Sequence, residues 1–358
     1  MPDNAAPLVF DGHNDVLLKL SLAGGRDAAK TFASGRVGDI DLPRARQAGF
    51  AGGFFALFVP SPQDRAAKER LMQSGAYDMP LPEPVVQKEA LPQVLEQVAI
   101  LEEMQRAGMV KICRSTADIS ACMASGTMAA VMHMEGAEAI DGNLQVLDEL
   151  YDRGLRSLGP VWSRQTIFGK GVPFRYPSDG NIGSGLTRAG GALVRRCNEK
   201  RILIDLSHLN EAGFWDVARL SDAPLVATHS NAHAIAPHSR NLTDAQLAAI
   251  AESDGLVGLN FGVAFVRPDG QLKAQVSLDI LLRHLDHLIK RLGEDRVALG
   301  SDFDGAQMPD SIGDVTGLNA LRGAMRAHGY DETLIRKICH ENWLRVLAKT
   351  WGENRPET

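Results

Sequence analysis

Eight short apolar runs constrain this chain more than any other feature. Each leads into a polar or glycine-containing turn, and most are followed by a helical pattern. The runs cover residues 8–12, 53–59, 129–134, 155–161, 202–207, 225–229, 256–261 and 297–301, with helical patterns at 92–107, 144–153, 189–200, 211–220, 244–253 and 278–292. A parallel strand needs a crossover of a dozen or more residues to return beside its neighbour, so this alternation predicts a (β/α)8 TIM barrel. A doubly wound open sheet is the rival. Against it, no GxGxxG follows the first run, and polar signals follow many strands instead of gathering at one switch point. The 358 residues, 44% of them hydrophobic, suffice for one large core, and no linker or internal repeat divides them. We therefore expect a single barrel domain over 1–358, with long loops at about 61–83 and 163–186 on the C-terminal face. A helix over 331–350, with Leu334, Ile338, Trp343, Leu347 and Trp351 on one stripe, is expected to pack on the barrel's outside.

Charge narrows the partners. Lys and Arg number 38 against 44 Asp and Glu, and the positives are scattered, which argues against nucleic acid. Stretches free of charge, such as 47–63 and 119–134, are too short and too interrupted to span a bilayer. The first residues lack the basic start and apolar run of a signal peptide, so a cytoplasmic location is expected. The four cysteines form no CxxC pair and read as reduced core residues.

The chemistry sits at the strand ends. His13 and Asp15 in DGHND stand two apart after the first run, Glu135 follows the third, His208 the fifth, His229 the sixth, and Asp302 and Asp304 the eighth. A single His in such a place is usually a satisfied core or capping group. Three His and several carboxylates reaching one face from five strands instead indicate a metal centre. Nitrogen and oxygen donors without thiolate suit zinc or another borderline divalent ion. A catalytic zinc takes three protein ligands, so five candidates suit two Zn2+ sharing a carboxylate, and Glu135 is the natural bridge. A water held between two such ions would have its pKa lowered toward about 7.

Taken in order, DGHND, HMEG, DLSH, HSNAHAIAPHSRNLTD and GSDFDG resemble the renal or membrane dipeptidase family, peptidase family M19, from Asp11 to about Trp351. The resemblance implies that His13 and Asp15 bind one zinc ion, His208 and His229 the other, and Glu135 both. It further implies that Arg240 grips the substrate's terminal carboxylate and that Asp302 shuttles a proton from the nucleophilic water to the leaving amine. Bidentate Arg–carboxylate geometry would make a free dipeptide fit where a long peptide does not. The alternative for Arg240 is an exposed ion pair beside the helix entry capped by Thr243, and Asp304 is an alternative to Asp302. His233 and His238 are expected to support or face solvent, and His133 to be a buried, hydrogen-bonded core group. The family pattern is broken at Trp162, where the better-known branch carries a histidine, so Trp162 is expected to wall the substrate pocket.

The expectation is a binuclear zinc enzyme that hydrolyses dipeptides. An enzyme of the same fold acting on another amide or a lactone, and a metal-free binding protein, are the rivals. The oligomeric state stays open, a homodimer included.

Overall fold

The computed structural model describes residues 6–35, 37–61 and 65–353. All eight apolar runs become barrel strands: Val9–Asn14, Phe50–Phe58, Met128–Glu135, Leu155–Gly159, Leu203–Ile204, Val226–Ser230, Leu256–Leu259 and Val297–Leu299. The first five pair in sequence, as do the last three, all of them parallel. Two parallel bridges, Asp205 with Val226 and Asn14 with Phe303, join the arcs into a ring. An open doubly wound sheet is thereby excluded. One further strand, Val110–Ile112, pairs beside the start of the third barrel strand and was not among the expected runs.

Strand period two separates two apolar faces. Phe10, Phe54, Val131, Leu203, Val226, Leu256 and Ala298 turn inward into one cluster, while outward residues such as Val9, Phe55 and Val257 join the larger core under the helices. Helix Leu278–Leu292 shows why that core forms, since its buried Leu281, Leu282, Leu285, Leu288 and Leu292 recur at helical spacing.

The C-terminal segment departs from expectation. It runs as Glu332–Arg336, a π-helical turn Lys337–Glu341, and Asn342–Trp351. Instead of lying on the outside, it sends Trp343 into the inward cluster, where the indole Nε1 donates to Leu299 O at 2.9 Å. Gly12 and Gly258 make room for it, because a Cβ at either would press on the Trp343 ring. The barrel is thus plugged from the end opposite the polar strand termini.

The two long loops carry structure of their own. The first contains helix Arg65–Met72, and residues 62–64 lie outside the described residues. Its Tyr77–Asp78 pairs antiparallel with Arg175–Tyr176 of the second loop. Met72, Tyr77, Met79, Phe174, Tyr176 and Phe265 then form a small apolar cluster of their own. A buried ion pair, Arg164 to Glu138 at 2.8 Å, ties the second loop to the turn after the third strand, and Arg164 also donates to Val59 O at 2.8 Å. Among the described residues no helix is long and apolar enough to cross a membrane. All four cysteines are free and buried.

Candidate active site

A bulge in the first strand sets the site. Between Asp11 and Asn14 the strand advances three residues while its partner advances two, from Gly53 to Phe55. Phe10 and Gly12 face inward below the bulge, and above it the inward positions pass to His13 and Asp15. Alternation along the third strand carries the inward face from Val131 through His133 to Glu135. His208 follows the short fifth strand, His229 lies in the sixth, and Asp302 follows the eighth.

These side chains meet on one atom. Glu135 Oε1 lies 2.9 Å from His208 Nε2, 3.4 Å from His229 Nε2 and 3.6 Å from His13 Nε2. His13 Nε2 is also 3.2 Å from Asp15 Oδ2. His13, Asp15 and Glu135 form one group with metal-binding spacing, Glu135, His208 and His229 a second, and His13, His229 and Asp302 a third. The outer ring nitrogens of the second pair are anchored by hydroxyls, His208 Nδ1 by Ser163 Oγ at 2.9 Å and His229 Nδ1 by Thr228 Oγ1 at 2.8 Å. A hydroxyl that accepts Nδ1–H leaves the Nε2 lone pair facing the site.

The electrostatics call for a cation. Burial, helped by the charges of Arg240 and His13, pushes His208 and His229 well below the usual histidine range. Two neutral imidazoles with Nε2 atoms 3.1 Å apart turn lone pairs on one another, an arrangement relieved by an ion between them. Burial opposes charge on His13, yet the carboxylates of Glu135, Asp15 and Asp302 outweigh it and lift His13 to about 10. Burial raises Glu135 well above the ordinary range, with Asp15 and Asp302 adding to the rise. Buried Asp15 Oδ1 has no hydrogen-bond partner among the described residues. Neutral nitrogen donors, a crowd of carboxylates and an orphaned carboxylate oxygen fit divalent metal.

Asp302 sits at φ 63°, a left-handed conformation uncommon outside glycine. Its loop is clasped from three sides. Ser301 donates its backbone N and its Oγ to Asp11, each at 2.7 Å, and Asp302 N donates to His13 O at 3.0 Å. Asp304 and Asp39 exchange backbone-to-carboxylate bonds of 2.8 and 2.9 Å. Asp304 is therefore committed to Asp39 and does not replace Asp302 beside the histidines. Burial raises Asp302 to about 6, with the Asp15 charge adding and His13 opposing.

A cavity of about 300 Å³ opens onto Asp15, Glu135, His208 and Asp302. Trp162 walls it, its ring 5.1 Å from Phe58, 5.7 Å from Phe174 and 5.8 Å from His208. Arg240 is only 3% exposed, and no ion pair to it appears among the described residues, so it is not a surface salt-bridge residue. Its Nη2 donates to His229 O at 3.1 Å, while Nε and Nη1 are buried without partners among the described residues. Thr243 caps the following helix as the sequence suggests, with Gln246 completing a capping box. His133 is a buried core group bonded to Ser157 Oγ at 2.9 Å, His233 bonds Ser178 O at 3.0 Å, and His238 accepts from Arg240 N at 3.0 Å. None of these three belongs to a metal-binding group among the described residues.

Residues 4–356 match the membrane dipeptidase family, peptidase family M19. The chain belongs to this family. It is a metallo-dipeptidase, and the family's metal dependence agrees with the histidine and carboxylate cluster. A metallo peptidase from Rhodobacter sphaeroides, solved with a phosphinate mimic of the dipeptide L-Ala-D-Ala, is 55% identical. The match covers 97% of this chain and 100% of that one, with a TM-score of 0.95. A Klebsiella pneumoniae protein described only by its position in the pqqA 5' region is 48% identical over 260 residues, 72% of this chain and 96% of that protein. The dipeptidase PvdM of Pseudomonas aeruginosa, described as probable, is 22% identical with a TM-score of 0.80 over 98% of this chain and 96% of its own, and shares the fold.

For this M19 chain, sequence reasoning missed the carboxylates behind the clustered histidines. Asp205 accepts from Thr228 Oγ1 at 2.6 Å and from Ser207 Oγ at 2.7 Å, so a carboxylate–hydroxyl–imidazole chain orients His229. The D-x-S-H spacing of DLSH carried that signal, since an Asp side chain commonly bonds the backbone two residues on. Lys68, whose ammonium lies 4.1 Å from the Phe174 ring centroid, and Phe58 were also missed. No local pattern marks residues that meet only across loops.

Proposed function

We propose that this M19 chain hydrolyses free dipeptides at a centre of two divalent ions, zinc in the native protein. The observation that carries the reading is the convergence of three imidazole Nε2 atoms on Glu135 Oε1. His13 and Asp15 would hold one ion, His208 and His229 the other, and Glu135 both. Bound there, the ions would supply Lewis-acid polarisation of the scissile carbonyl and acidify a water. Asp302 is placed to accept a proton from the attacking water as the water's oxygen bonds the carbonyl carbon. The same proton passes to the peptide nitrogen as the C–N bond breaks, leaving a free amine and a carboxylic acid whose remaining proton is lost to the amine or to solvent. Arg240 presents Nε and Nη1, which have no partner among the described residues, to the substrate's terminal carboxylate. A D-residue at the C-terminal position is included, supported by 55% identity to the peptidase whose ligand mimics L-Ala-D-Ala. Four unpaired buried cysteines support a reducing compartment, the cytoplasm, as its location.

Protein loaded with zinc is expected to hold about two ions per chain and to cleave dipeptides, L-Ala-D-Ala among them, in preference to lactones and other amides. Elemental analysis and a substrate panel decide this. At most one ion per chain overturns the binuclear reading, and a preferred lactone overturns the dipeptide.

Trp162 gives a smaller effect. Packed among Phe58, Phe174 and His208, it shapes the substrate cavity. Trp162→Phe keeps the apolar body and removes the N–H donor, so kcat should fall by less than about tenfold while the ranking among dipeptides changes. Loss of an oxyanion donor typically costs about 10²–10³ in kcat. A uniform drop of about a hundredfold or more, with metal retained, would assign the indole that task instead.

A further inference from the structure

Asn260 directly follows the seventh strand, Leu256–Leu259, and is 1% exposed. Its amide has one orientation, because Oδ1 accepts from Gly262 N at 2.6 Å and only the oxygen can accept. Nδ2 therefore turns to the other side, where it donates to Asp302 Oδ2 at 2.8 Å. Asn260 is itself pinned, its carbonyl accepting from Asn231 Nδ2 at 3.1 Å. On the other partner, Asp302 Oδ1 takes no hydrogen bond among the described residues, and Asp302 lines the substrate cavity.

A carboxylate held only at its backbone can rotate and exchange its oxygens. Asp302 has reason to do so, since it lies within metal-ligand spacing of His13 and His229. We propose that Asn260 is a positioning residue that holds Asp302 by Oδ2 and keeps Oδ1 turned to the cavity for proton transfer. This rests on the reading of Asp302 as the proton carrier. Asn260 does not line the cavity; besides the 2.8 Å bond to Asp302, its Nδ2 makes only a long 3.5 Å contact to the backbone His229 O among the described residues.

The test is a mutant cycle with Asn260→Leu, Asn260→Ala and Asp302→Ala, reading kcat, KM, bound metal and Tm. Leucine conserves the volume and alanine opens space, so a donor effect strikes both variants and a packing effect separates them. Either Asn260 variant should lower kcat on the order of 10–100-fold, as loss of a supporting hydrogen bond commonly does. KM should stay within about twofold and metal content should not change. In the Asp302→Ala background, removing Asn260 should cost less than about a further twofold. Equal losses in both backgrounds, a change in KM alone, lost metal, or a loss in only one of the two variants overturns the inference. If Asp302→Ala keeps full activity, the proton-carrier reading falls first and this inference with it. If Asp302→Ala is crippled and the Asn260 variants are not, this inference alone falls.

Discussion

Replacing Glu135 by alanine will strip at least one divalent ion from each chain and lower dipeptide hydrolysis by at least ~10³. Loss of a mere supporting partner typically costs about 10–100-fold in metal affinity, and Glu135 is no mere supporter. Its Oε1 lies within 3.6 Å of the Nε2 atoms of His13, His208 and His229 together. Removing it leaves neutral His208 and His229 facing each other and takes from His13 the first carboxylate that favours its charge. Elemental analysis after loading with zinc, alongside a dipeptide assay, reads both effects. A variant that keeps two ions and wild-type kcat would show that the carboxylate does not join the two sites.

Arg240→Ala should weaken kcat/KM on free dipeptides by about 2–5 kcal/mol, the usual cost of removing one partner of a desolvated charge pair. Burial lowers the Arg240 pKa to about 10, which leaves the guanidinium charged at neutral pH. Two of its donors are buried without partners among the described residues, and such donors are costly unless a ligand completes them. The contrast with dipeptide amides isolates the clamp. Wild type should prefer the free acid strongly, and the variant should treat acid and amide within a few-fold of each other. Should wild type cleave dipeptide amides and longer peptides as readily as free dipeptides, Arg240 is not measuring the substrate's end.

Glu135 and Arg240 are both legible in the sequence, and for Glu135 the reason is local. A barrel strand turns alternate residues inward, so a polar residue that interrupts an apolar run at its C-terminal end is already aimed at the barrel mouth. His13, Glu135, His208, His229 and Asp302 all obey that rule. Asn260 obeys it too, directly after the strand Leu256–Leu259 and one residue before the run closes on Phe261, and the same rule applied to that strand end would have singled it out. Arg240 lies beyond any strand end and stands out only through the motif around it. Asp11 and Asp205 were less legible, because their task is to accept from Ser301, after the eighth strand, and from Thr228, in the sixth.

The sequence by itself determined the strand and helix alternation, the parallel barrel and the set of polar strand ends, since each follows from periodicity within one segment. Only the tertiary structure decided which end of the barrel Trp343 plugs, that Tyr77–Asp78 pairs with Arg175–Tyr176, and that Arg240 is buried behind His229 instead of exposed. It also decided between two equivalent carboxylates, giving Asp304 to Asp39 and Asp302 to the histidines. The physical reason is common to all four. An amphipathic period states which face of a segment must be covered, but not by what. The covering partner is chosen by chain closure and packing among groups far apart in sequence, for which a single segment carries no record.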